Sequence, residues 1–93
     1  MNVAEDQGQL EKAKAEQIIA DTPSMDGVES VSVELGDDQT GDPAMWLVFY
    51  LRHDMVADKQ WHERFSEYSR QIDMRIIDSG LTRFPYTRLR RAA

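Results

Sequence analysis

The sequence predicts an α+β fold, a two-layer α-β-β-α-β sandwich in which a small three-stranded sheet carries both helices on one face. Three observations predict it. Val31-Ser32-Val33-Glu34-Leu35 alternates apolar with polar, the period of a strand with one buried and one wet face. Ala44 to Arg52 is apolar at nearly every position, the mark of a second strand. Trp61, Phe65, Tyr68, Ile72 and Ile76 recur at steps of four, three, four and four, one face of a helix.

The first helix is read over Gln9–Ala20, a run of strong helix formers with Leu10, Ala13, Ile18 and Ile19 as a thin apolar stripe. Pro23 biases Thr22 away from the helical region, so the helix stops near Asp21, and residues 1–7 are expected to form a flexible N-terminus. Strand 1 spans Val28–Leu35. The Gly, Asp, Thr and Pro residues between Gly36 and Pro43 supply the turn into strand 2, which makes the two strands a hairpin. In strand 2 the odd positions Met45, Leu47, Phe49 and Leu51 are uniformly apolar and belong on the core. The even positions Trp46, Val48, Tyr50 and Arg52 are amphipathic and face outward.

Asp54 or Asp58 caps the second helix, Gly80 supplies its left-handed stop, and Thr82–Arg90 reads as a last strand. Pro85 removes one ladder donor, so that strand lies at an edge or joins the sheet mainly after Pro85. With no internal repeat and no linker, residues 8–91 form a single domain. The element order is that of the prokaryotic-type KH domain and of small ribosome-assembly factors built on it, an analogy of topology only, because the Gly-x-x-Gly clamp of KH domains is absent.

Composition narrows function. The 93-residue chain contains no cysteine, which removes disulfides, thiolate nucleophiles and Cys-ligated zinc and fits a reducing compartment. The start lacks the pattern of an export signal and the longest apolar run is too short to span a bilayer, so a cytoplasmic location without membrane association is expected. Residues 1–44 hold eleven acids against Lys12 and Lys14, whereas residues 45–93 hold nine bases against six acids. The net charge of −6 repels nucleic acid at long range and favours a protein partner.

The residues with most to offer a partner are the aromatics and arginines of the last two strands. Two registers are open. In one, Phe84, Tyr86, Arg88 and Arg90 share the outward face with Trp46, Tyr50 and Arg52, forming a platform of the residue types that dominate protein hot spots and base stacking. In the other, Phe84 and Tyr86 point inward as core and leave Arg83 and Thr87 outside. The second is favoured, because the first buries Pro85, Thr87 and Leu89, a poorer core set.

Other chemistry has less behind it. Asp58 and His62 share a helix face near His53, Asp54 and Glu63, but no H-E-x-x-H motif occurs, and a capped, solvated first turn explains them. Asp37, Asp38 and Asp42 lack calcium-loop spacing. No serine sits in a nucleophile elbow, and no glycine-rich phosphate loop is present. No catalytic residue, metal or cofactor is therefore assigned. Arg88, Arg90 and Arg91 form the densest basic cluster, which grips phosphate or neutralises the acidic half of the chain.

Asp38-Gln39-Thr40-Gly41-Asp42-Pro43-Ala44-Met45-Trp46, followed by Phe84-Pro85-Tyr86-Thr87-Arg88-Leu89-Arg90, resembles a loose group of small bacterial proteins of unassigned function. Their shared phrases are a Gly-Asp-Pro-Ala turn entering an aliphatic strand and a Pro-Tyr-x-Arg ending. The similarity spans roughly residues 27–90 and departs at Leu89, where an aromatic is common, and at the acidic N-terminal helix. Members are often encoded beside a small helical protein of the HEPN type, so the resemblance implies a partner-binding or antitoxin-like role. The expected function is a non-enzymatic interaction module that binds a protein partner or self-associates as a homodimer through Trp46, Tyr50, Arg52, Tyr86, Arg88 and Arg90. The alternatives are a KH-like RNA-binding accessory factor using Arg83, Tyr86, Arg88, Arg90 and Arg91, and a divalent-metal hydrolase using Asp58 and His62.

Overall fold

A computed structural model describes residues 3–92. The elements follow as α1 (Val3–Asp21), β1 (Val28–Asp37), β2 (Pro43–Leu51), α2 (Lys59–Asp78) and β3 (Phe84–Arg91). β1 and β2 form an antiparallel hairpin, β3 runs parallel to β2 on its other side, and the order β1-β2-β3 makes the sheet mixed with β2 at its centre. Both helices pack on one face of it. The expected two-layer α+β architecture is what forms, and no helix among the described residues is long and apolar enough to cross a membrane.

The core follows the parity of β2. Met45, Leu47, Phe49 and Leu51 point into it and meet Trp61, Phe65, Tyr68, Ile72 and Ile76 of α2. Phe49 is the hinge of this contact, its ring edge-on to Phe65 at 5.1 Å and to Tyr68 at 5.9 Å, while Trp61 stacks on Phe65 at 5.1 Å. Burial pushes the Tyr68 phenol upward. The N-cap of α2 is Asp58, whose carboxylate accepts the Trp61 amide at 2.8 Å. Gly80 ends that helix with φ +83. At Gly27, φ +92 and the crowding of a Cβ against Trp61 Nε1 (2.8 Å) and Met55 Cγ (2.9 Å) both require glycine. The indole N–H beside it donates to the Asp26 carbonyl at 3.1 Å.

Helix α1 differs from expectation in extent and in face. It begins at Val3 rather than Gln9, so of the segment expected to be flexible, only Met1 and Asn2 lie outside the described residues. The expected stripe holds only in its second half: Ile18 and Ile19 pack against the core, whereas Leu10 is 68% exposed and Ala13 is exposed too. The inward face is Gly8, Glu11, Ala15, Ile18, Ile19 and Thr22. The cause is Glu11, only 2% exposed. Its carboxylate accepts the Thr82 amide (2.6 Å) and hydroxyl (2.6 Å), the Arg83 amide (3.1 Å) and the Gln7 side-chain amide (3.3 Å). A buried charge is tolerable only with such partners, and here it satisfies the backbone that enters β3.

β3 lies at an edge, the first of the two placements Pro85 allows, and it pairs with β2 from Phe84 onward. Its parity, however, is the reverse of the favoured one. Pro85 is buried on the helix side while Phe84 is 56% exposed, and Tyr86, Arg88 and Arg90 share its outward direction. Pro85 is accommodated on the helix side because its side chain is a small apolar ring with no polar group to bury.

Two carboxylates set opposite pH responses. Desolvation, the largest influence on Glu11, raises its pKa, but the donors from Thr82, Arg83 and Gln7 together outweigh it and hold the group below its ordinary 4.5. Its stabilising contribution is therefore complete above that value and lost as pH falls through the depressed one. Glu11→Gln should cost about 2 kcal/mol at neutral pH by urea denaturation, with the difference from wild type shrinking in acid. Asp73, on the flank of α2, is half-buried with Oδ1 buried and without a hydrogen-bond partner; desolvation pushes it from 3.8 to about 6. Here the folded state holds the proton more tightly than the unfolded chain, so stability falls as pH rises through that range. Asp73→Asn should gain about 1 kcal/mol at neutral pH, after discounting for its partial exposure, and nothing below about pH 4.

Candidate functional site

The face of the sheet opposite the helices carries the candidate site. Alternation along β2 sends Trp46, Val48 and Tyr50 to that side, and the parallel register sets Trp46 beside Tyr86, Val48 beside Arg88 and Tyr50 beside Arg90. Trp46 and Tyr86 stack, with ring centroids 5.0 Å apart at 28°, and Phe84 tilts against Tyr86 at 5.2 Å. The Arg88 guanidinium lies 4.4 Å from the centroid of a Trp46 ring, a cation–π contact. These long side chains roof Val48, which is fully buried although no helix covers it.

The hairpin turn anchors one end of this cluster. Asp38 Oδ1 accepts the Thr40 hydroxyl (2.6 Å), the Thr40 amide (2.8 Å) and the Asp42 amide (3.0 Å). Asp38 Oδ2 receives the Tyr86 phenol at 3.2 Å. Thr40 chiefly, with the Asp42 amide and Tyr86, holds the Asp38 carboxyl below the usual range against partial desolvation. Desolvation, and then the Asp38 hydrogen bond and the charges of Asp38 and Asp42, push the Tyr86 phenol up. Asp38, Gln39, Thr40, Trp46 and Tyr86 enclose a shallow cavity of about 300 Å³. At the far end Arg90 approaches Glu34 of β1 at 4.0 Å.

The six residues expected to bind a partner thus separate. Trp46, Tyr50, Tyr86, Arg88 and Arg90 share the uncovered face. Arg52 lies beyond the end of β2, where its guanidinium pairs with Asp54 at 2.8 Å and Asp26 at 3.6 Å. The Asp54 hydrogen bond, above all, raises its pKa and lowers that of Asp54. Phe84 and Asp38 belong to the cluster and were not among the six; for Phe84 the signal was its parity with Tyr86.

The remaining arginines hold the fold. Arg83 Nη1 donates to the Gly36 and Ala44 carbonyls at 3.1 and 2.9 Å, binding together the turn end of the hairpin. Arg91 Nη1 donates to the carbonyls of Met55 (2.8 Å), Arg52 (3.3 Å) and His53 (3.3 Å) in the loop before α2. The Asp58 carboxylate is engaged as a cap and His62 meets Trp61 edge-on at 5.2 Å. Among the described residues, no group of three or more His, Cys, Asp or Glu converges as a metal site would require.

The Asp38 to Tyr86 contact is measurable. The Tyr86 phenolate, followed by ultraviolet absorbance as the difference between wild type and Tyr86→Phe, should appear above the ordinary value of 10.0. Asp38→Asn should move it back down, because the neutral amide removes the charge that opposes ionisation.

No family model matches the chain, and neither a curated protein nor a solved structure matches it.

Proposed function

We propose that this protein is a non-enzymatic docking module whose uncovered sheet face binds a protein partner. The observation that supports it is the ridge of Phe84, Tyr86 and Trp46 capped by Arg88, held on the side of the sheet that no helix shields. A small domain that exposes more than half of Phe84 beside two stacked aromatics presents the composition of an interface centre. Arg88 and Arg90 flank the ridge with positive charge, so the partner surface that fits is an apolar groove rimmed by carboxylates. The antitoxin-like role that the resemblance implies is one instance of such binding.

The RNA-binding alternative draws less support. Two of its five residues, Arg83 and Arg91, spend their guanidinium groups on backbone carbonyls, and Arg88 and Tyr86 already lie against the Trp46 rings on which a base would stack.

Phe84→Ala is the informative variant, because its ring is largely exposed and its removal should shift the melting temperature by no more than a few degrees. In a pull-down from native lysate, a protein captured by wild type and by the distant surface control Leu10→Ala should be lost with Phe84→Ala and weakened at least tenfold with Arg88→Ala, about 1.4 kcal/mol. Capture that is indifferent to Phe84 and Arg88 contradicts the reading. So does salt-dependent binding of mixed single-stranded RNA that Arg88→Ala abolishes.

A further inference from the structure

We propose that the chain forms a two-fold symmetric dimer in which β3 pairs antiparallel with β3 of a second copy about an axis through Thr87, joining two three-stranded sheets into one.

The main chain dictates which groups are available. β3 has a neighbour on one side only. Beyond the Leu51–Arg91 pair, the Ala92 amide donates to the Leu51 carbonyl at 2.7 Å. Backbone amides and carbonyls alternate sides along a strand, so even-numbered residues of β3 turn theirs toward β2. Pro85, Thr87, Leu89 and Arg91 turn theirs to the free edge. Pro85 thus stands where its missing N–H costs the monomer nothing, while the amides of Thr87 and Leu89 face outward without a strand to accept them. The opposite edge is less suited to pairing: β1 is broken by an irregularity between Val28 and Ser30 and carries Glu29, Glu34 and Asp37.

Side chains select the register. With the axis at Thr87, Tyr86 lies opposite the second copy's Arg88, Phe84 opposite its Arg90, Pro85 opposite its Leu89, and the two Thr87 residues face each other. Within residues 84–90 every cross-strand pair is then cation with aromatic, apolar with apolar, or threonine with threonine, the combinations that stabilise antiparallel neighbours, and only Arg91 runs past the start of the opposing strand. The two Thr87 residues exchange main-chain hydrogen bonds, and each Leu89 amide donates to the opposite Pro85 carbonyl; Pro85 is asked only to accept. Slipping by two residues toward the C-terminus sets Arg88 against Arg88. Slipping by two the other way carries Leu89 past the start of the opposing strand. Phe84 and Leu89, 56% and 40% exposed, gain cover in the proposed register. Both helix layers stay on one side, so the aromatic face runs uninterrupted across the axis.

The absence of cysteine makes the register directly testable. Hydrogen-bonded antiparallel partners have Cα atoms about 5.5 Å apart, within disulfide reach, whereas diagonal neighbours at about 7–8 Å are not. Thr87→Cys should oxidise to a covalent dimer in most of the sample, while Tyr86→Cys, Arg88→Cys and the surface control Ser66→Cys cross-link at least tenfold more slowly. Light scattering on wild type should give a dimer at about 100 μM, and Thr87→Pro should give a monomer with its helical circular dichroism intact. A wild-type monomer up to about 1 mM overturns the proposal. So does a dimer untouched by Thr87→Pro, a cross-linking rate at position 87 equal to that at 66, or open-ended polymers, which would instead join the basic β3 edge to the acidic β1 edge.

Discussion

A sheet with helices on one side must keep the outer face of its central strand out of water by other means. β2 meets that constraint with its neighbours' side chains. Val48 lies at the middle of the uncovered face and is nonetheless fully buried, and it is the register of β3 that buries it, by placing Tyr86, Arg88 and Arg90 alongside Trp46, Val48 and Tyr50. Tyr and Trp suit the task because each presents a large apolar body and a polar tip, and arginine covers an aromatic ring while its charge stays hydrated. The aromatic ridge is therefore first a roof. It also projects Phe84 into solvent, which covering Val48 does not require.

The roof depends on where β3 enters the sheet, and that depends on a residue of α1. Glu11 collects the amides of Thr82 and Arg83 at the point where the chain leaves the turn after α2. Arg83 in turn reaches the carbonyls of Gly36 and Ala44 across the end of the hairpin. One carboxylate and one guanidinium thus fix the start of the last strand relative to both others, and the Trp46–Tyr86 stack and the Tyr86 to Asp38 hydrogen bond are set two residues further on.

Element order, the hairpin, the inward parity of β2 and the whole of α2 were legible in the sequence, because each rests on a periodicity that tertiary contacts reinforce. The inward face of the first half of α1 was not. A glutamate within a helix carries the signal of a solvated position, and nothing local marks Glu11 as the acceptor for a backbone more than seventy residues away. The parity of β3 was misread for a related reason. Weighing Phe84 and Tyr86 against Pro85 and Leu89 as core material counts transfer energy alone, and it omits that aromatics displayed on a surface can bury one another. It also omits that a proline at a free edge leaves no donor unsatisfied.

The charge asymmetry between the halves of the chain resolves along the same lines. The arginines of the C-terminal half are not one basic patch but two kinds of residue divided by their position in the sheet. Arg83 and Arg91 share the parity of Pro85 and lie against the layer that holds the fold, where carbonyl oxygens consume their donors. Arg88 and Arg90 share the parity of Tyr86 and lie on the face that holds the aromatics. A one-residue slip of β3 would exchange the two sets, stranding guanidinium groups beneath α2 and releasing the hairpin carbonyls from their donors. The register that builds the aromatic face is thus enforced by the same alternation that closes the core.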